Sequence, residues 1–222
     1  MKELEIAPES RPVFVPAREA ALEAKEKGKG NEGIYCGAAI ELPDGSIVRL
    51  ELLREYGRDQ VGAKVLSTLP EFQRALTPPV AEGVGALGAP KNGVRLYAVE
   101  YATRGVDGAP VVASGLVIIP TLSGPRPIVS YQQGMILDPL DAPSTLRSGE
   151  ATAMLHVFAA YGYVVTMPDY IGQGRSPARH PFLHAATEAS AGIHLLEATR
   201  RLCAQLDVPL SGKLFLAGLS QG

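Results

Sequence analysis

An α/β fold with a mostly parallel sheet is the fold class this sequence predicts, preceded by a more charged α+β extension over residues 1–80. Three observations carry that expectation. From residue 94 onward, short β-rich runs alternate with helical stretches. One run, Tyr163–Met167 (Tyr-Val-Val-Thr-Met), lacks polar alternation, the pattern of a strand covered on both faces. A long helical stretch, Thr187–Leu206, puts Leu195, Ala198, Leu202 and Leu206 on one stripe suited to packing on a sheet.

The extension is read first. Residues 1–80 hold 24 of the 44 charged side chains, so this part is more solvated than the rest. Ala17–Lys27 follows Pro16 and ends at Gly28-Lys29-Gly30, which predicts a short exposed helix. Ile34–Leu42 and Ser46–Leu53 flank Pro43-Asp44-Gly45 and read as a β-hairpin. Pro70-Glu71-Phe72 opens a further short helix before Pro78-Pro79. No chemistry is legible here, and structural decoration is the plainest reading; capping, association or an extra lobe are the others. Residues 81–93 form a Gly-rich link into a second unit, 81–222.

That unit begins with two strands, Val94–Thr103 and Val111–Ile119, joined at Gly105-Val106-Asp107-Gly108, with Pro120 ending the second. Pro127–Tyr131 is a third strand. Glu150–Ala160 has helical composition, with Ala153, Val157 and Ala160 on one face. The strand at Tyr163–Met167, the long helix and a short buried strand at Lys213–Ala217 complete the order. Antiparallel strands followed by β-α-β-α-β make the later part of the sheet parallel.

Composition excludes several classes. Of the 222 residues, 46% are hydrophobic and 20% charged, enough for a core and too apolar for general disorder. The net charge of −2 offers no basic excess for a nucleic-acid backbone. No apolar run reaches the roughly 18 residues of a membrane span. The charged start Met1-Lys2-Glu3-Leu4-Glu5 has no signal-peptide core, so the expectation is a cytoplasmic chain or one whose leader has been removed. Cys36 and Cys203 are too few for a disulfide framework or a zinc site and read as reduced, partly buried thiols. Oligomeric state is not legible.

The chemistry concentrates at the end of the chain. Gly218-Leu219-Ser220-Gln221-Gly222 is a G-x-S-x-G pattern directly after a predicted strand. A serine on such a turn stands above the sheet with its hydroxyl exposed, and only small flanking residues permit the bend. Ser220 is therefore the candidate nucleophile. Tyr131-Gln132-Gln133-Gly134-Met135 leaves the third strand as a Gly-containing loop, the place where one oxyanion-binding N–H would arise. Gly134 would let the loop turn, Met135 would present its N–H, and the N–H of Gln221 would be the second donor. Met167-Pro168-Asp169 ends a strand before the loop Gly172-Gln173-Gly174. Asp169 is expected to order that loop by accepting backbone N–H bonds rather than to act in catalysis. His156 and His194 fall in helices, and His180 and His184 brace or cap the entry to the long helix. No carboxylate–histidine set has metal-ligand spacing.

Several of these segments occur together, and in order, in a known group. Ser114-Gly115-Leu116-Val117-Ile118-Ile119-Pro120, Val129–Gly134, Tyr161–Val165 with Pro168–Gly172, His180-Pro181-Phe182 and Gly218–Gly222 make residues 94–222 resemble the α/β-hydrolase superfamily. Within it they resemble the bacterial and fungal secretory-lipase type of esterase. The resemblance implies an α/β-hydrolase-type sheet and hydrolysis of a carboxylic ester or acylglycerol, without metal or organic cofactor. It makes Ser220 the nucleophile, with the N–H groups of Met135 and Gln221 as the oxyanion hole beside Gly134. Two departures stand out. Gln133 occupies a position where the family usually has histidine. The sequence also stops two residues after Ser220, so the acid and histidine partners, and the rest of the sheet, are expected beyond Gly222. The chain alone is then expected to turn over little substrate. A peptidase or other acyl hydrolase on the same scaffold, or a non-catalytic binding or assembly module, are the alternative readings.

Overall fold

A computed structural model describes residues 42–64 and 88–222. The helices expected at Ala17–Lys27 and near Pro70, the first arm of the hairpin, and Cys36 lie outside the described residues. The described strands form one six-stranded sheet in the order β1-β2-β3-β5-β4-β6. They are β1 (Ile47–Tyr56), β2 (Val94–Arg104), β3 (Pro110–Pro120), β4 (Arg126–Gln132), β5 (Val164–Pro168) and β6 (Leu210–Gly218). Two longer helices, α1 (Gly149–Val157) and α2 (Ala185–Gln205), join β4 to β5 and β5 to β6.

The sheet is mixed. β1, β2, β3 and β5 pair antiparallel in succession, whereas β4 lies parallel to both β5 and β6. The parallel character therefore belongs to the later strands, where helical crossovers replace hairpin turns. The expected turn at Pro43-Asp44-Gly45 is present, with the Ser46 N–H donating to the Pro43 carbonyl at 3.0 Å. The strand that follows it, β1, pairs with β2 and so hydrogen-bonds into the same sheet as residues 94–218.

Strand alternation divides the core into two faces. Even-numbered Val94, Leu96, Leu116 and Ile118 join Ala153, Met154 and Leu155 of α1. Odd-numbered Tyr97, Val99, Tyr101, Val117 and Ile119 join Leu195, Ala198 and Leu202 of α2. A period of two in the strands thus feeds opposite faces. β5 sits between the layers and is buried along its whole length, as its unbroken apolar run requires. The Glu150–Ala160 helix ends early: α1 stops at Val157, and Ala159–Tyr161 tightens into a 3-10 turn closed by Gly162 in the left-handed region (φ 101°).

One expectation is corrected. The strand over Lys213–Ala217 is exposed, not buried, with Leu214, Phe215 and Leu216 at 40%, 48% and 77% exposure. Among the described strands β4 alone pairs with it, and only its ends, Leu210 and Ala217, pack against the two core clusters. Cys203, expected to be partly buried, is fully buried, and burial raises its thiol to about 11.

The α2 contact is tight enough to test. A methyl group added at Gly115 of β3 would sit 2.6 Å from a Leu195 terminal carbon, so the glycine makes room for the leucine. Leu195→Ala leaves a cavity there and is expected to cost about 2–5 kcal/mol, read from urea unfolding midpoints at unchanged slope.

Candidate active site

Parallel pairing of β4 with β6 sets Gln132 opposite Gly218, so the carboxyl ends of the two strands lie side by side. From there the connections diverge. The chain after β4 runs through α1 to β5 on one side, and α2 returns it past β4 to β6. Crevices at such diverging carboxyl ends are the usual ligand sites of open α/β sheets.

Ser220 stands at this edge. It is exposed, on the turn directly after β6, and its φ of 57° is in the left-handed region. A non-glycine residue there is strained, and the surroundings hold it. The Leu219 N–H donates to the Gln132 carbonyl at 3.1 Å, and the Gly222 N–H closes the turn on the Leu219 carbonyl at 3.2 Å. Both motif glycines are required by contact. A Cβ on Gly218 would lie 2.4 Å from the Gly222 carbonyl oxygen, and one on Gly222 would lie 2.2 Å from the Gln132 Cβ. The turn is thus pressed onto the end of β4.

The neighbouring loop carries the other predicted residues. The Gly134 N–H is taken by the Glu150 carboxylate at 3.2 Å, so Gly134 shapes the loop and its own amide is already engaged. Met135 is half exposed, and neither its N–H nor that of Gln221 has an acceptor among the described residues. Gln133, at the position where a histidine was expected, is buried and donates its side-chain amide to the Asp169 carbonyl at 3.3 Å. It braces the loop against the end of β5.

Two carboxylates unremarked in the sequence frame the turn. Glu150 sits in the first turn of α1, whose Ser148 cap accepts the Glu150 N–H at 3.1 Å. Glu188 sits in the first turn of α2 and accepts a hydrogen bond from the Gln221 side-chain amide. Both helices start at the carboxyl edge, so both acids reach it. No spacing marks them, although Ser148-Gly149-Glu150 is a readable helix start. Burial, and then Glu150, raises the Tyr131 hydroxyl above its ordinary range; burial, then Glu188 and Glu150, does the same for Tyr170. Both phenols stay neutral.

Asp169 behaves differently from expectation. It is fully buried but accepts nothing from Gly172–Gly174. Its donors are the Ser114 hydroxyl (2.6 Å), the Ser144 hydroxyl (2.5 Å) and the Ser144 N–H (2.9 Å). The Gly172–Gly174 loop is ordered at one remove, since Ser114 Oγ accepts the Arg175 N–H at 2.9 Å. Gly174 packs so close that a Cβ would lie 2.2 Å from the Asp169 carboxylate, leaving no room for a donor from that side.

The histidines serve the scaffold. His184 caps α2, His180 bonds the Ile171 carbonyl at 2.7 Å, and His194 bonds Thr103 Oγ1 at 2.8 Å. His156 is buried in α1, and burial lowers its pKa. Among the described residues no group of three or more His, Cys, Asp or Glu is arranged to hold a metal, and no helix is long and apolar enough to cross a membrane.

The fold recurs in solved structures. The rice cell wall degrading esterase LipA from Xanthomonas oryzae superposes with a TM-score of 0.68 at 33% identity, over 82% of this chain and 44% of that one. A Legionella pneumophila protein assigned as a hydrolase gives 0.67 at 32% identity, over 79% of this chain and 44% of its own. The chain has an α/β-hydrolase fold of the esterase type. It spans less than half the length of these neighbours. No family model and no curated protein matches the sequence. In this hydrolase fold the sheet edge just described, with Ser220 on its turn, is the candidate active site.

Proposed function

We propose that Ser220 is the nucleophile of a carboxylic-ester hydrolase that works through an acyl-enzyme. The observation that carries the reading is the exposed, left-handed Ser220 on a turn packed against the end of β4, beside two amides with no internal acceptor. In the first step a base takes the proton from Ser220 Oγ, which bonds to the ester carbonyl carbon. The carbonyl electron pair moves onto oxygen, and the N–H groups of Met135 and Gln221 stabilise that charge, each worth about 3 kcal/mol. Collapse expels the alcohol, which regains the proton, and water then releases the acid. Gly134 sets the loop while Glu150 holds its amide.

The exposed apolar residues at this edge support one substrate class. Met135, Leu137, Leu140, Phe182, Leu183 and Leu219 lie on loops after β4, β5 and β6, and each is at least half exposed. Large apolar side chains exposed on the loops that leave this end of the sheet support an acyl chain over a charged peptide segment as substrate.

Three of the four histidines hold other partners, and His156 is buried in α1, so the chain brings no imidazole to Ser220. Turnover by these 222 residues is expected to fall roughly 10⁴-fold or more below that of a complete triad. Prolonged incubation with a fluorophosphonate probe is expected to modify Ser220 selectively, as read by peptide mass spectrometry. Added imidazole is expected to raise p-nitrophenyl butyrate hydrolysis by the wild type above that by Ser220→Ala. Labelling spread over surface serines, or unchanged in Ser220→Ala, would remove Ser220 from the reaction.

A further inference from the structure

The opposite end of the sheet carries an unexplained charge. Arg126 opens β4, about 20 Å from Gln132 at the other end by strand rise. Its side chain is only 6% exposed. Nε and Nη1 are sealed from solvent and have no hydrogen-bond acceptor among the described residues. Nη2 is not among the sealed atoms without a partner, and no hydrogen bond from it is seen among the described residues. No carboxylate lies within ion-pair distance among the described residues. A buried, unpaired guanidinium is costly, and arginines in such places normally meet a carboxylate or phosphate in a fork.

Space for such a group exists. A cavity of about 390 Å³ lies against Arg126, between the Thr121–Gly124 turn and the Leu206–Pro209 turn that follows α2. Arg95 stands at its rim, tied outward to Glu55 at 3.0 Å. Thr121 and Ser123 bring hydroxyl donors to the lining. Asp207, also on the lining, makes no ion pair with either arginine. The lining thus holds one buried cation, a second cation shared with Glu55, two hydroxyls and a single carboxylate, Asp207, a set in which Arg126 is the charge left to pair with a small oxyanion.

We infer that this cavity is an oxyanion-binding site, distinct from the Ser220 edge, in which a carboxylate or phosphate group pairs with Arg126 through Nη2 and is flanked by Arg95. Neither the comparisons nor the hydrolase reading assigns anything to this end of the sheet. The inference stands independently of the role of Ser220.

The test is thermal unfolding of the 222-residue chain in inorganic phosphate, acetate and chloride at matched ionic strength. A saturable rise in Tm with phosphate or acetate, absent with chloride, is expected. Whichever of the two acts at the lower concentration identifies the group. Arg126→Met removes the buried charge without opening a hole, so it is expected to fold and to lose the anion-dependent rise. Arg95→Gln is expected to shift the half-saturating concentration upward several-fold. Should Arg126→Met not fold, amide NMR of the wild type decides. Phosphate or acetate must then move resonances of residues 121–126 and 206–208 and leave 219–222 unmoved. No saturable shift, an equal shift in Arg126→Met, or perturbation spread over the surface would overturn the site and leave the α2 carboxyl end as the countercharge of Arg126.

Discussion

Asp169→Ala is expected to lower stability by about 3–5 kcal/mol, a large share of what a domain of this size possesses. Three donors converge on this carboxylate from β3 and from the turn at Pro143–Thr145, and all three are buried with it. Truncation leaves the Ser144 N–H without an acceptor and frees Ser114, which positions Arg175. Urea unfolding followed by circular dichroism measures the loss as a lower midpoint with an unchanged slope. Asp169→Asn keeps the shape, and both serine hydroxyls can rotate to accept from it, so the cost is expected to be about 1–2 kcal/mol.

The same residue sets a pH dependence. Burial raises the Asp169 pKa above its ordinary 3.8, with the serine donors and Arg175 opposing. A carboxyl raised in the folded state binds its proton more tightly there than in the unfolded chain. Its contribution is complete below the unfolded value and is lost as pH rises through the folded one. Stability of the wild type is therefore expected to decline over that acidic window, relative to Asp169→Asn, in which the term is absent. Parallel profiles for the two proteins would exclude Asp169 as the titrating group.

Gly218→Val is expected to abolish selective labelling of Ser220, by at least tenfold, while leaving the unfolding midpoint within about 0.5 kcal/mol of wild type. The added Cβ meets the Gly222 carbonyl at 2.4 Å and the Gln132 carbonyl at 3.3 Å. The turn must open, and the serine leaves its left-handed position. The global effect is small because this end of β6 is exposed and few contacts depend on it. Retained labelling in Gly218→Val would mean that the bend is not what makes the hydroxyl reactive. A large drop in stability would mean that the turn supports the sheet instead.

Elements whose burial is periodic were legible in the sequence. β5 reads as a two-sided buried strand and α2 as a one-sided stripe, because each pattern repeats within a few residues, whereas β2 reads as half-buried and is in fact covered on both faces, by α1 on one and α2 on the other. The Gly218–Gly222 turn was legible for a related reason, since close backbone approach excludes side chains and leaves glycine as its mark. Gln133 was legible as a departure but not as a brace, because its partner is a carbonyl 36 residues away.

The roles of the acids were also hidden. Asp169 looked like a loop organiser on local grounds, yet its donors come from residues 55 and 25 positions earlier in the chain. Glu150 and Glu188 carry no motif, and they reach the Ser220 turn because crossover topology starts both helices at the same sheet edge. By itself the sequence determined which segments become strands and helices, and where a serine must sit on a glycine-flanked bend, since those depend on interactions between near neighbours. Tertiary structure alone decided which carboxylates meet that bend and that Arg126 is buried with no carboxylate beside it among the described residues. Each of those depends on contacts between residues far apart in the chain, which no local pattern encodes.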